Sequence, residues 1–211
     1  MLVLRKGIYA IVDLDACATA GLDPQRTAAA FLEAPLAALQ LRAKQADDRS
    51  LLRLARALAP LCRAAGVPFV VNDRIDLARL AAADGAHVGQ DDLPPREARA
   101  LLGPDALLGL STHSTAQVEA AVDEPVDYLG FGPVFATRTK TRADPVVGLE
   151  GLRRAAAATR HPLVAIGGIG LDDLPAVRAA GAYAAALVAA LLEGGDPRRR
   201  IHEAVERFGA G

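Results

Sequence analysis

The chemistry-bearing residues of this chain fall in short polar runs, each placed directly after a short apolar run. In Leu39-Gln40-Leu41-Arg42-Ala43-Lys44 the polar side chains recur at every second position. An extended chain with that period turns Gln40, Arg42 and Lys44 to one face and Leu39, Leu41 and Ala43 to the other. Two cations and an amide on one face make a clamp for an anion, because desolvating cations is costly unless an opposite charge meets them. The bland use of the same residues is a solvated rim or a set of internal salt bridges.

Carboxylates follow the next two apolar runs. Pro68-Phe69-Val70-Val71 leads into Asn72-Asp73-Arg74, and Gly85-Ala86-His87-Val88-Gly89-Gln90 leads into Asp91-Asp92. Neighbouring parallel strands would bring Asp73 beside the Asp91-Asp92 pair. A few carboxylates next to a cationic clamp suit Mg²⁺, which takes its remaining ligands from water and substrate phosphate. Taken alone, Asn72-Asp73 reads equally as a turn and Asp92 as a helix cap. His87, inside a strand, reads as a satisfied core histidine.

Leu107-Leu108-Gly109-Leu110 ends in Ser111-Thr112-His113-Ser114. Ser111 is placed to offer its hydroxyl to a ligand, and Ser114 with Gln117 has the spacing of a helix capping box. His113 is a possible proton carrier, although no local partner supports that role and a structural one fits equally. The run Gly132 to Val147 is long for a connector, and in it Thr137, Thr139 and Thr141 alternate with Arg138, Lys140 and Arg142. That composition suits a lid closing on phosphate through charge-assisted hydrogen bonds. Gly167-Gly168-Ile169-Gly170 and the small residues after Val188 would let backbone amides approach a phosphate.

The elements that must position these runs alternate regularly. Strands are expected at Ile8–Val12, Leu36–Arg42, Pro68–Asn72, Gly85–Val88, Ala106–Leu110, Val126–Phe131, Pro162–Ile166 and Ala182–Val188. Helices are expected near 24–34, 48–65, 74–82, 95–102, 115–122, 149–158, 172–180 and 197–208. Such alternation implies parallel pairing through right-handed crossovers. Repeated this regularly in 211 residues, it favours closure into a single (β/α)₈ TIM barrel over an open doubly wound sheet, with 1–211 as one catalytic domain. In a barrel the active site forms at the C-terminal strand ends, where the polar runs lie.

Composition narrows the partners. The formal net charge is −1, which gives no reason to expect nucleic acid or an anionic membrane. The longest apolar stretch, Ala182 to Leu192, is too short to span a bilayer. Cys17 and Cys62 lack metal-ligand spacing and read as buried thiols of a cytoplasmic protein, and the first residues lack the pattern of a targeting signal.

Taken in order, QLRAK (40–44), NDR (72–74), DGAHVGQDDLP (84–94), GLSTH (109–113), DYLGFGPVFATRTK (127–140) and AIGGI (165–169) resemble the thiamine phosphate synthase family over nearly the whole chain. The resemblance implies a (β/α)₈ barrel that joins a hydroxymethylpyrimidine diphosphate to a hydroxyethylthiazole phosphate with Mg²⁺. It implies that Gln40, Arg42, Lys44, Asn72, Ser111 and Lys140 hold the pyrimidine diphosphate, with Arg42, Lys44, Lys140 and Ser111 acting in catalysis. Asp73 and Asp92 then bind the metal, while Thr137, Thr139, Gly168 and the Val188-Ala189 backbone receive the thiazole phosphate. The chain departs from the family pattern at Asp91, where Glu is common, at Ala136, where Pro is frequent, and at Ala189, where Ser is usual. The rivals are a thiazole tautomerase on the same barrel, a phosphosugar epimerase, and a thiazole phosphate sensor without turnover. The epimerase lacks a paired acid and base here, and the sensor would not need the metal carboxylates.

Overall fold

A computed structural model describes residues 3–137 and 144–209 of the chain. Eight parallel strands close into a barrel in chain order: β1 (Gly7–Asp13), β2 (Leu36–Arg42), β3 (Phe69–Asn72), β4 (Gly85–Val88), β5 (Leu107–Thr112), β6 (Tyr128–Phe131), β7 (Leu163–Ile166) and β8 (Ala184–Leu187). Closure is made by β8 pairing with β1, with Gly7 opposite Ala184 and Ala10 opposite Leu187. The strands are Val-, Leu- and Ala-rich on both faces, as expected of strands covered outside by helices and inside by each other.

Period two divides these residues between two cores. Tyr9, Ile11, Ala38, Val70, Tyr128, Val164 and Ala186 fill the barrel interior. Their neighbours in sequence, among them Ala10, Leu39, Leu41, Val71 and Leu129, pack outward against the helices. The outer ring comprises α1 (Leu14–Thr19), α2 (Pro24–Phe31), α3 (Asp48–Ala65), α4 (Ile75–Leu80), α5 (Pro95–Leu102), α6 (Thr115–Ala120), α7 (Gly148–Ala157), α8 (Leu174–Ala179), α9 (Ala189–Leu192) and α10 (Pro197–Gly209). In α3 the apolar period buries Leu51, Ala55, Leu58, Ala59 and Cys62. Asp47 caps its first turn, and Gly66 in the left-handed conformation ends it. None of the described helices is long and apolar enough to cross a membrane.

The expected elements are present, and the differences lie at their edges. β5 runs on to Thr112, because Ser111 and Thr112 pair with Gly130 and Phe131. Ser111 is therefore a strand residue facing inward, while Thr112 is buried and donates its hydroxyl to Gly130 O at 2.9 Å. Two short helices were not expected, α1 and α9. α1 has six residues and α9 four, and each starts within two residues of the strand before it.

Candidate active site

The C-terminal ends of the strands open on a cavity of about 420 Å³. Strand residues form its floor and wall: Tyr9, Ile11, Gln40, Arg42, Asn72, His87, Ser111 and Tyr128. Its other side is built from loop backbone at 132–137, 167–170 and 188–190. That division, polar side chains opposite glycine-rich backbone, suits a ligand with a ring at one end and a phosphate at the other.

Gln40 and Arg42 line the cavity from β2, Lys44 lies two residues past the end of that strand, and each of the three has a partner. Gln40 is buried, and its Nε2 donates to Tyr9 Oη at 2.9 Å. Arg42 forms an ion pair with Asp13. Asp13 is 1% exposed and also caps α1, accepting from Ala16 N at 2.9 Å. Lys44 Nζ lies 2.5 Å from Asp73 Oδ2. The internal ion pairs raised as the bland reading of this clamp are thus present, one with each cation. Arg42 itself lines the cavity, and Asp73 directly follows Asn72, which lines it too.

Asn72 ends β3 against the cavity. Asp73 takes φ 62°, a left-handed conformation that a non-glycine residue enters at some cost. Its N–H donates to His87 O at 2.7 Å, which holds the turn. Burial pushes the Asp73 carboxyl above the ordinary carboxylate range; the Lys44 contact opposes this, and the adjacent Asp92 carboxylate reinforces it. Asp92 does not cap the following helix, whose first flanking residue is Pro94. Its Oδ2 accepts from Gly89 N at 2.7 Å, folding the β4 loop so that Asp92 comes beside Asp73. Asp91 is exposed. No group of three or more His, Cys, Asp or Glu is gathered for a metal among the described residues. The Asp73–Asp92 pair is instead a two-carboxylate site, half-buried and short of positive charge. That deficit fits a hard cation that draws its remaining ligands from water and phosphate.

His87 is satisfied, as expected of a core histidine, but it lines the cavity. Its Nδ1 meets Tyr128 Oη at 3.1 Å and its Nε2 meets Ser111 Oγ at 2.9 Å. Ser111 is also fixed through its carbonyl, which accepts from Gln90 Nε2 at 2.6 Å. His113 Nδ1 donates to Gly132 O at 2.7 Å, anchoring the start of the loop after β6. Ser114 caps α6 by accepting from Gln117 N at 3.2 Å, while Gln117 Oε1 reaches back to His113 N at 2.6 Å. The reciprocal bond of the expected capping box therefore falls one residue earlier.

The loop after β6 is stapled at its base. Val134 N and Phe135 N donate to Ile166 O and Gly167 O, and Val147 N and Gly148 N return to Pro133 O and Val134 O. Thr137 lines the cavity, whereas Thr139 and Lys140 lie outside the described residues. The expected lid over 132–147 thus has held ends. Gly168, at φ +65°, would place a Cβ 2.3 Å from Ala136 O. Its glycine is required by this loop contact as well as by any phosphate. Val188 and Ala189 begin α9 at the same end of the cavity.

The thiamine monophosphate synthase family matches residues 8–191 of the chain. The chain belongs to that family. It is 48% identical over 191 residues to the thiamine-phosphate synthase of Laribacter hongkongensis (strain HLHK9), covering 90% of this chain and 89% of that one. It is 43% identical over 205 residues to that of Anaeromyxobacter dehalogenans (strain 2CP-C), covering 97% and 89%. Among solved structures, the thiamine phosphate pyrophosphorylase of Pyrococcus furiosus superposes with a TM-score of 0.86 at 30% identity, covering 98% of this chain and 96% of that one. As a thiamine monophosphate synthase family member the chain is a transferase acting on small molecules.

Asp13, Tyr9, Tyr128 and Gln90 were not singled out in the sequence. Tyr9 and Tyr128 sit at inward positions of ordinary apolar runs. The one available signal was the pair of strand glycines, Gly109 and Gly130, since glycine inside a strand marks a close approach.

Proposed function

We propose that this chain, as one catalytic domain over 1–211, condenses 4-amino-5-hydroxymethyl-2-methylpyrimidine diphosphate with 4-methyl-5-(2-hydroxyethyl)thiazole phosphate, giving thiamine phosphate and diphosphate. The observation that supports this reading best is the meeting of Lys44, Asp73 and Asp92 just beyond the strand ends at which Arg42 and Asn72, with Gln40 and Ser111, line the cavity. Such a grouping is matched to a diphosphate and a divalent cation.

Asp73 and Asp92 are the residues that would hold Mg²⁺, which when bound neutralises charge on the diphosphate. Arg42 and Lys44, joined by Lys140, offset the negative charge that grows as the methylene C–O bond breaks and its electron pair leaves with diphosphate. Gln40, Asn72 and Ser111 orient the aminopyrimidine, whose electron-rich ring carries the resulting cation. The thiazole nitrogen then uses its lone pair to form the new C–N bond. No proton is transferred and no protein nucleophile is needed. At the far end, Thr137, Thr139, Gly168 and the Val188-Ala189 backbone receive the thiazole phosphate. Ala189, exposed at the first turn of α9, offers that phosphate its amide alone. A cytoplasmic location belongs to the same reading.

The test is incubation with both substrates, with Mg²⁺ and with EDTA, read by mass detection of thiamine phosphate and by released diphosphate. The expected result is Mg²⁺-dependent release of both. Arg42→Gln is expected to damage turnover far more than His113→Ala, since His113 Nδ1 is already committed to Gly132 O. If His113→Ala were the more damaging change and no diphosphate appeared, the reading would give way to a thiazole tautomerase.

A further inference from the structure

Four hydrogen bonds join five side chains across the barrel floor, Gln40–Tyr9–Tyr128–His87–Ser111, at 2.9, 2.8, 3.1 and 2.9 Å. The residues come from β2, β1, β6, β4 and β5, so only barrel closure brings them together. The site requires its glycines to make room for them. A Cβ at Gly109 would fall 2.2 Å from Tyr128 Cζ and 2.4 Å from His87 Nδ1, and one at Gly130 would fall 3.1 Å from His87 Cε1. The rings then meet at tilted angles, His87 and Tyr128 at 32° with centroids 5.4 Å apart and Tyr9 and Tyr128 at 48° with centroids 5.8 Å apart.

We propose that this chain is polarised in one direction and fixes the Ser111 hydroxyl as a hydrogen-bond donor into the cavity, with His87 as its positioning residue. The Gln40 amide nitrogen can only donate, so Tyr9 Oη accepts from it and gives its own proton to Tyr128. Tyr128 Oη, having accepted, donates to His87 Nδ1. That nitrogen is therefore bare, and the imidazole is the neutral Nε2–H tautomer. A second proton on Nδ1 would face the Tyr128 hydrogen. Nε2–H donates to Ser111 Oγ, and the Ser111 proton is left to point at a ligand. Each link settles the next because a buried donor without an acceptor is costly. Burial holds both phenols far above their ordinary range, so the two hydroxyls keep the protons this requires. The cavity floor thus presents a donor at Ser111 and selects a ligand with an acceptor there, a ring nitrogen or a phosphate oxygen, and rejects an N–H.

The identity of that ligand as the pyrimidine diphosphate rests on the proposed function, but the polarity does not. The first experiment therefore uses the free protein. With ¹⁵N-labelled histidine, NMR should show His87 with a pyrrole-like Nε2 and a pyridine-like Nδ1. The reverse assignment would mean that the chain runs from Ser111 to Gln40, and would overturn the proposal. Tyr128→Phe, which removes the bond holding Nδ1 bare, should let the ring exchange between tautomers; an unchanged ring counts against the relay.

The second experiment is kinetic. His87→Phe should raise the pyrimidine diphosphate KM about tenfold, the loss of one well-placed hydrogen bond, with the thiazole phosphate KM unmoved. His87→Gln, whose amide can donate where Nε2–H did, should recover most of that loss. In a Ser111→Ala background His87→Phe should add little. Fully additive losses, or equal damage to both KM values, would show a merely structural histidine. Should His87→Phe fail to fold, the tautomer assignment and His87→Gln still decide.

Discussion

Lys44 Nζ and Asp73 Oδ2 stand 2.5 Å apart, so the cation expected to meet diphosphate and the carboxylate expected to meet metal hold each other. The pair is half-open to solvent, its side chains 47% and 22% exposed, and by itself contributes little to stability. Its importance is electrostatic. One lysine is set against two neighbouring carboxylates, and the Asp73 carboxyl still stays above its ordinary range. A divalent cation between Asp73 and Asp92 would relieve that deficit and release Lys44 to the substrate.

Asp73 and Asp92 should therefore act as one unit. Asp73→Asn and Asp92→Asn are each expected to lower kcat/KM by about 10- to 100-fold, the usual cost of a lost contact to a charged group. The double variant should lose little more than either single one, as groups sharing one role do. Steady-state kinetics over a Mg²⁺ series checks this. Losses that multiply, or a Mg²⁺ dependence unchanged in both single variants, would separate the two residues.

Gly109 tests the floor by packing alone. Its backbone is in an ordinary conformation, so alanine there adds only a methyl that meets Tyr128 Cζ at 2.2 Å. Overpacking of this kind costs about 1–3 kcal/mol, which in a protein of this size lowers Tm by roughly 2–12 °C. Gly109→Ala should also raise the pyrimidine diphosphate KM, since Tyr128 and His87 must move. A variant as stable and active as the parent would show that the floor yields easily.

The strands and helices were legible because each rests on local period. Leu36–Arg42, Asp48–Ala65 and Pro95–Leu102 begin and end where the apolar pattern places them. The period of two that turned Gln40 and Arg42 to one face is the period by which both line the cavity, while Lys44 lies past the strand end. The partners of those residues were not legible. Tyr9 and Tyr128 are 119 positions apart, and Asp13 meets Arg42 only through the β1–β2 register. The alternative reading of Asp92 as a helix cap falls for a different reason: an acidic residue shortly before a helix can cap it or fold its own loop, and only the Gly89 contact decides between them.

The buried thiols give a pH dependence whose sign is fixed. Burial pushes Cys62 up to about 12 and Cys17 up to about 11, from an ordinary value of 9.0. A group raised on folding stabilises the protein fully below its unfolded value and ceases to do so as pH climbs through the folded one. Stability should thus decline between about pH 9 and 12, and less steeply in Cys17→Ala/Cys62→Ala than in the parent. Denaturant titrations across that range measure it. Below pH 9 neither thiol should react with an alkylating reagent until the protein unfolds; rapid labelling of the native chain would count against both assignments.

Asp13 and Arg42 carry the sharpest separation of stability from catalysis. Asp13 is 1% exposed, so removing its partner strands a buried charge, which costs about 3–5 kcal/mol. Arg42→Ala would therefore lose activity partly by loosening the fold, and its effect on turnover alone proves little. Asp13→Asn keeps the side-chain volume and an oxygen for the Ala16 N–H, and it removes only the charge that orients Arg42. It should lower Tm and raise the pyrimidine diphosphate KM while leaving the thiazole phosphate KM nearly unchanged. Adding Arg42→Gln to Asp13→Asn pairs two neutral amides where two charges stood, so much of the lost Tm should return. Turnover should not return, because diphosphate has lost its guanidinium. Thermal melts run beside kinetics on the two single variants and the double one decide the matter. If the double variant regained activity along with stability, Arg42 would be a structural partner of Asp13 and the clamp would rest on the lysines alone.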